Sequence, residues 1–271
     1  MMRSILILIC VFISATAALA QTPREYKYGT HPKQALDVYL PKGANNRGAP
    51  ILVMLHGGGW KVGDKSSKNV VDGKLSHWGK RVFFVSVNTR LMPEADPLEQ
   101  TRDFAKAVAF VQKNAASWGG DVNRMFLMGH SAGAHVAALL STRQDLQLAA
   151  GVRPWDGTVV LDSAALDVEE AAQTNRSGLI QEAFGNDRSF WHETSPSKHL
   201  DRSDPPMFLV CSSQRRVSCQ RTEEFASQAR ARGISVQVLS VPLNHQGINS
   251  QLGKQRRYTR EVDKWFREHI N

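Results

Sequence analysis

Arg124-Met125-Phe126-Leu127-Met128-Gly129-His130-Ser131-Ala132-Gly133 is the stretch that decides the fold. It opens as a short apolar run, Arg124 to Met128, passes a serine between two glycines, and continues into Ala132 to Leu140, small, apolar and helix-compatible. Strand, G-x-S-x-G, helix is the context in which a tight turn lifts a serine hydroxyl clear of a sheet and sets it at a helix N-terminus. Glycines on either side allow that turn and the close approach of neighbouring strands. The N–H of Ala132, in the first helical turn, has no intrahelical partner and can face an oxyanion. Small residues recur in many proteins, so five positions alone are only moderately specific.

The flanking sequence repeats the same alternation. Ile51 to His56, Arg81 to Val87, Thr158 to Leu161, Met207 to Val210 and Ser235 to Leu239 are short, apolar and rich in strand formers. Continuous apolar runs of this length suit parallel strands covered on both faces. Between them, Phe104, Val108, Val111 and Ala115 fall at helical spacing, and Gly119-Gly120 ends the run. Thr222 to Ala231 places acidic residues early and arginine late, as a helix dipole favours. Alternating strand and helix predicts a mostly parallel central sheet with helices on both faces, and Leu36 to Leu40 predicts an antiparallel edge. Residues 163–206 form the least regular stretch, a long excursion between two predicted strands, expected to act as a lid over one domain spanning 21–271.

A second motif strengthens the first. His56-Gly57-Gly58-Gly59-Trp60 closes an earlier predicted strand, about 75 residues before Ser131. It matches the HGGG-type loop whose bare backbone N–H groups complete an oxyanion hole, here Gly58 and Gly59 together with Ala132. The alternative, a phosphate-binding glycine turn, lacks the G-x-x-x-x-G-K-[ST] pattern. The third element is a histidine after the last strand. His245, in Val241-Pro242-Leu243-Asn244-His245, fits the order nucleophile, acid, histidine. His130 and His135 flank the serine as packing or polar neighbours, with His130 and Trp60 as candidate pocket residues. Trp60 is equally suited to core packing. His192 and His199, in the excursion, are further pocket candidates.

Composition sets the outer bounds. The chain has 271 residues, 42% apolar and 22% charged, with three cysteines and ordinary glycine and proline content. A disordered chain, a collagen-like repeat and a disulfide scaffold are all excluded. Met1-Met2-Arg3, the apolar run Ile5 to Ile13, and Ala18-Leu19-Ala20 have the layout of a secretory signal peptide cleaved after Ala20. The apolar run is too short to span a bilayer, and no membrane span is expected in the mature chain. Cleavage leaves 251 residues with net charge +8, in a secreted or periplasmic setting. The cations are scattered and no nucleic-acid motif accompanies them, so a solvated basic surface is expected. The densest run, Lys254 to Arg260, opens a predicted last helix. After export only Cys211 and Cys219 remain. An even pair closing a short loop in an oxidising compartment predicts a disulfide, two unpaired thiols being the alternative that Cα spacing decides.

With these motifs in place, the chain resembles the α/β-hydrolase fold over nearly all of its mature length. The resemblance is to the carboxylesterase branch with the HGGG loop, near bacterial esterases and arylformamidase-like hydrolases. Tyr28-Gly29 with Ala35 to Pro41 resembles the first strands, and His56 to Gly63 the oxyanion segment. Gly119-Gly120-Asp121 leading to Gly129 through His135 resembles the serine turn, and Thr194-Ser195-Pro196 with Pro205-Pro206 the approach to the acid-bearing strand. The resemblance implies hydrolysis of a small-molecule ester through an acyl-enzyme on Ser131, with His245 as base and no metal or cofactor. Arylformamidase-like amide hydrolysis by the same residues is an alternative, as is a non-catalytic binding protein.

One departure stands out. The fold usually places its acid in the loop after that strand, here Cys211-Ser-Ser-Gln-Arg-Arg-Val-Ser-Cys219, which holds no Asp or Glu. Three readings are open: Asp162 supplies the acid from the end of the preceding strand, Asp167 or Glu223 reaches across, or the site is a Ser–His dyad. A disulfide is expected to fix this loop beside His245, with Ser212 or Ser213 near the imidazole.

Overall fold

The computed structural model describes residues 21–42, 47–163, 165–174 and 178–270, apart from the side chain of Arg216. The expected signal segment, residues 1–20, lies outside the described residues.

Eight strands form one sheet: β1 Arg24–Lys27, β2 Ala35–Tyr39, β3 Ala49–Leu55, β4 Phe83–Val87, β5 Gly120–His130, β6 Gly157–Leu161, β7 Met207–Ser212 and β8 Val236–Val241. Their spatial order is β1-β2-β4-β3-β5-β6-β7-β8. From β4 to β8 every pairing is parallel, while β1 and β2 form the antiparallel edge expected from Leu36 to Leu40. Side chains alternate across the sheet with period two. Ile51, Val53 and Leu55 of β3 join one core cluster, and Leu52 and Met54 join another on the opposite face. Cover on both faces is why these strands read as unbroken apolar runs.

The helices are α1 Lys68–Trp78, α2 Pro97–Trp118, α3 Ala132–Thr142, α4 Gln144–Ala150, α5 Val168–Thr174, α6 Leu179–Phe184, α7 Arg188–Thr194, α8 Arg216–Ala231, α9 His245–Ser250 and α10 Arg256–His269. α2 and α3 pack on one face through Phe104, Val108, Val111, Val136 and Leu139. α8 extends that layer with Phe225 and Ala229 against Leu209 and Val236. α1, α9 and α10 cover the other face through Val70, Trp78, Ile248, Val262 and Trp265. The ends of α2 follow its sequence. Asp96 accepts the Glu99 N–H at 2.8 Å, Pro97 opens the helix, and Gly119 turns it off at φ 96°. Arg256, Arg257 and Arg260 point to solvent from α10, while Tyr258, Val262 and Trp265 are buried, so this basic run is the wet side of an amphipathic helix.

The excursion holds α5, α6, α7 and a short 3-10 turn at Pro196–Lys198. Ile180 and Phe184 anchor it in the core, and Leu179 faces the loop containing Gly59. Among the described residues no helix is long and apolar enough to cross a membrane.

Candidate active site

The parallel strands deliver their C-terminal ends to one edge of the sheet. This is where open α/β folds place their sites. Ser131 follows β5, Asp162 follows β6, and His245 starts α9 just beyond β8. Asn244 caps α9, accepting the Gly247 N–H at 2.8 Å, and so fixes the turn from which His245 projects.

Ser131 has φ 55° and ψ −118°, a strained conformation for a residue with a side chain. The surroundings enforce it: the Ser131 N–H donates to Leu161 O at 2.9 Å and its carbonyl accepts from His135 N–H at 3.0 Å. The flanking glycines are required by contact. A Cβ on Gly129 would lie 2.1 Å from Gly133 O, and one on Gly133 would lie 2.3 Å from His56 O. The serine turn therefore packs backbone to backbone with the His56–Gly59 loop. In that loop Gly58 adopts φ 134°, and a Cβ there would meet Val62 O at 1.8 Å.

His245 joins the serine to a carboxylate. Its Nε2 is 2.9 Å from Ser131 Oγ, and its Nδ1 is 2.6 Å from Asp162 Oδ2. Asp162, also at positive φ (53°), has no side-chain exposure. Its Oδ1 accepts the Ser212 N–H at 3.1 Å and the Ser218 hydroxyl, and its Oδ2 also accepts Arg215 Nη1 at 2.8 Å. Burial pushes the Asp162 carboxyl upward. The bonds from His245 and Ser218, the Arg215 charge and the Ser212 N–H outweigh it and hold the group well below the usual carboxylate range. The acid is therefore ionised, able to keep the imidazole proton on Nδ1 and leave the Nε2 lone pair toward the serine hydroxyl.

Of the other candidate acids, Asp167 accepts from Ser197 and pairs with Lys198 at 2.8 Å, and Glu223 pairs with Arg230 at 3.8 Å. Neither meets His245. Cys211 and Cys219 are joined, with Cα atoms 5.0 Å apart, as their spacing predicts. The loop they close does lie beside the histidine, but neither expected serine touches the imidazole. Ser212 Oγ donates to Leu243 O and Ser213 Oγ to Val241 O. Arg215 takes that place, with Nη1 2.6 Å from His245 Nδ1.

A cleft of about 510 Å³ opens over this cluster, lined by the His56–Gly59 backbone, His130, Ser131, His245, Leu179 and Asn249 among others. His130 lies over His245, ring centroids 4.6 Å apart, and its Nε2–H donates to His245 O at 2.9 Å. Burial and the neighbouring His245 press His130 down to about 3, which keeps it a neutral, positioning ring. Of the two readings open for Trp60, core packing is the one its surroundings match: only 5% exposed, it stands edge-on to His135 and Phe184 and donates to His135 Nδ1 at 3.3 Å. Packing claims this ring, not the cleft. His192 and His199 pair with each other at 5.4 Å and do not line the cleft.

Sheet order and serine cluster together define an α/β-hydrolase. Residues 36–228 match the family model BD-FAE, and the chain belongs to that family. Among curated proteins it is 35% identical over 119 residues to an isoprenylcysteine alpha-carbonyl methylesterase of Arabidopsis thaliana, covering 44% of this chain and 27% of that one. Esterase LipC of Mycobacterium tuberculosis is 26% identical over 223 residues, 77% of this chain and 55% of that protein. The chain thus matches well under two thirds of the length of these relatives. Among solved structures, esterase B of Lactobacillus rhamnosis superposes with TM-score 0.77 at 20% identity, over 90% of this chain and 85% of that one. Thermogutta terrifontis esterase 2, phosphoramylated by tabun, gives TM-score 0.73 at 18% identity, covering 91% and 94%. At these identities the likeness bears on the fold.

Proposed function

We propose that the protein is a serine-dependent carboxylic ester hydrolase. The observation that carries this reading is the unbroken hydrogen-bond chain from Ser131 through His245 to Asp162, opening on a cleft edged by Gly57–Gly59. His245 Nε2 takes the proton of Ser131 as Oγ attacks the ester carbonyl. The N–H groups of Gly58, Gly59 and Ala132 hold the oxyanion of the tetrahedral intermediate. Imidazolium then gives its proton to the departing alcohol. Water, deprotonated by the same nitrogen, hydrolyses the acyl-enzyme and restores Ser131. Asp162 holds the ring's tautomer and steadies the imidazolium. Both nearby curated relatives carry esterase names, which supports an ester over an amide substrate.

The cleft suits a small or medium acyl or aryl ester, and residues 163–206 act as its cover, a reading supported by Leu179 at the cleft. Export is supported by the layout of residues 1–20 and by the Cys211–Cys219 bond, which belongs in an oxidising compartment. A secreted or periplasmic chain beginning at Gln21 is the expected product, and intact mass of protein recovered from the native host reads it directly.

The activity is tested with p-nitrophenyl esters and a fluorophosphonate probe. Wild type should turn over the esters and take one label on Ser131. Ser131→Ala should lose the label and about 10⁶-fold in kcat, and Asp162→Asn about 10⁴-fold, as in serine proteases. Labelling that persists in Ser131→Ala rejects the assignment.

A further inference from the structure

Three donors to Asp162 come from one short segment. Ser212 N–H, Arg215 Nη1 and the Ser218 hydroxyl all reach its carboxylate, and all three lie within the loop that Cys211 and Cys219 close. In the fold that this chain resembles, that loop supplies an acid. Here the carboxylate sits one strand earlier and the loop supplies only donors. Arg215 is the sole charged one and the only one of the three that also meets the histidine, its Nη1 2.6 Å from His245 Nδ1.

We propose that Arg215 is a positioning residue for the hydrolysis assigned to this site, fixing Asp162 Oδ2 against His245 Nδ1 and so selecting the imidazole tautomer that can serve Ser131. The inference rests on the ester-hydrolase reading above.

Oδ2, Nδ1 and Nη1 form a tight triangle, with 2.6 Å from Oδ2 to Nδ1 and 2.8 Å from Oδ2 to Nη1. A guanidinium has no lone pair, so Arg215 always donates. If both nitrogens donate to Oδ2, the ring proton sits on Nδ1 and Nε2 is free to take the serine proton. If Arg215 donates to Nδ1 instead, the ring proton sits on Nε2 and Ser131 has no base. An ionised oxygen accepts more strongly than a neutral imidazole nitrogen, so the carboxylate draws both donors and the productive arrangement wins. Arg215 in turn helps keep that carboxylate ionised and holds Oδ2, while Ser212 and Ser218 hold Oδ1. Without it His245 is the one partner left on Oδ2, and the two bonds that Ser212 and Ser218 make to Oδ1 no longer have a second donor on Oδ2 to fix the rotation of the carboxylate against Nδ1. A displacement of about 1 Å in such a group lowers turnover about 100-fold. The Arg215 side chain is 38% exposed, so truncation leaves the core intact and a small cation from solvent can enter its place.

The test uses the full mature chain with its disulfide oxidised. Steady-state kcat and KM on p-nitrophenyl acetate are measured for wild type, Arg215→Ala, Arg215→Lys and Arg215→Ala/Asp162→Asn. Each value is normalised to serine titrated by the fluorophosphonate, so unfolded protein does not count. The expected result is a fall in kcat of about 10–100-fold in Arg215→Ala with KM little changed. Arg215→Lys should recover part of it. Guanidinium at sub-denaturing concentration should restore Arg215→Ala saturably, with urea at the same concentration without effect, and should do nothing for the double variant. Wild-type kcat per titrated serine in Arg215→Ala overturns the proposal, as does a loss that neither lysine nor guanidinium recovers. Wild type that leaves the ester intact defeats the hydrolase reading itself; wild-type turnover undisturbed in Arg215→Ala defeats this inference alone.

Discussion

Asp162, just after β6, and Asp204, shortly before β7, are both buried carboxyls, and their environments drive them in opposite directions. Asp162 is met by three side-chain donors and one N–H and stays ionised, as described above. Asp204 accepts only the Asp201 N–H, at 2.9 Å, and its Oδ1 is buried with no partner among the described residues. Burial pushes the Asp204 carboxyl up to about 7, the Asp201 charge adding to it and the Asp201 N–H opposing. For Asp162 the unfolded chain binds more protons than the folded one below about pH 4, so stability from this group is present above that pH and lost in acid. For Asp204 the folded chain binds more protons between about pH 4 and about 7, so stability falls as pH rises through that window. Asp204→Asn should therefore raise the urea midpoint relative to wild type at pH 8 and by much less at pH 5. An equal shift at both values contradicts the assignment. At this scale Ser131 and His245 were legible because motif and chain order name them. Asp162 was legible only as one of several candidates, since a triad acid is defined by geometry. Arg215 carried no signal beyond its charge; only the folded loop brings it to the imidazole.

At the scale of elements, what the sequence states depends on how long and how apolar each segment is. The six apolar runs correspond to β3 to β8 within a few residues, and α2, α3, α8 and α10 correspond to helical patterns read before folding. The edge pairing of β2 followed from Leu36 to Leu40, and β1 pairs beside it although only one of its four residues, Tyr26, is more than marginally covered. α1, α4, α9 and the three excursion helices were not legible. They run from 6 to 11 residues, too short for a clear period, and α1, α4 and α6 begin without a side-chain cap. α9 is instructive. His-Gln-Gly-Ile-Asn-Ser reads as loop, yet Lys74, wholly buried on α1, donates to Asn249 O at 2.6 Å and ties the segment down. The Asn244 cap and this tertiary contact together hold that turn of helix and so present His245.

For the molecule as a whole, the alternation of strand and helix gave the layered sheet, and one feature of that sheet has a kinetic meaning. Ser131 and His245 are 114 residues apart and Asp162 and His245 are 83 apart, on three different strand ends. Contacts this distant in the chain form late, because the intervening loops must close before they are rewarded. The order β5, β6, β7, β8 means that His245 arrives only when the last parallel strand has joined its neighbour. In interrupted refolding, far-ultraviolet ellipticity should recover first and fluorophosphonate reactivity only with the final phase; reactivity in the early phase would contradict this. A chain still being assembled is then chemically silent, and the serine becomes a nucleophile at the moment the sheet is complete.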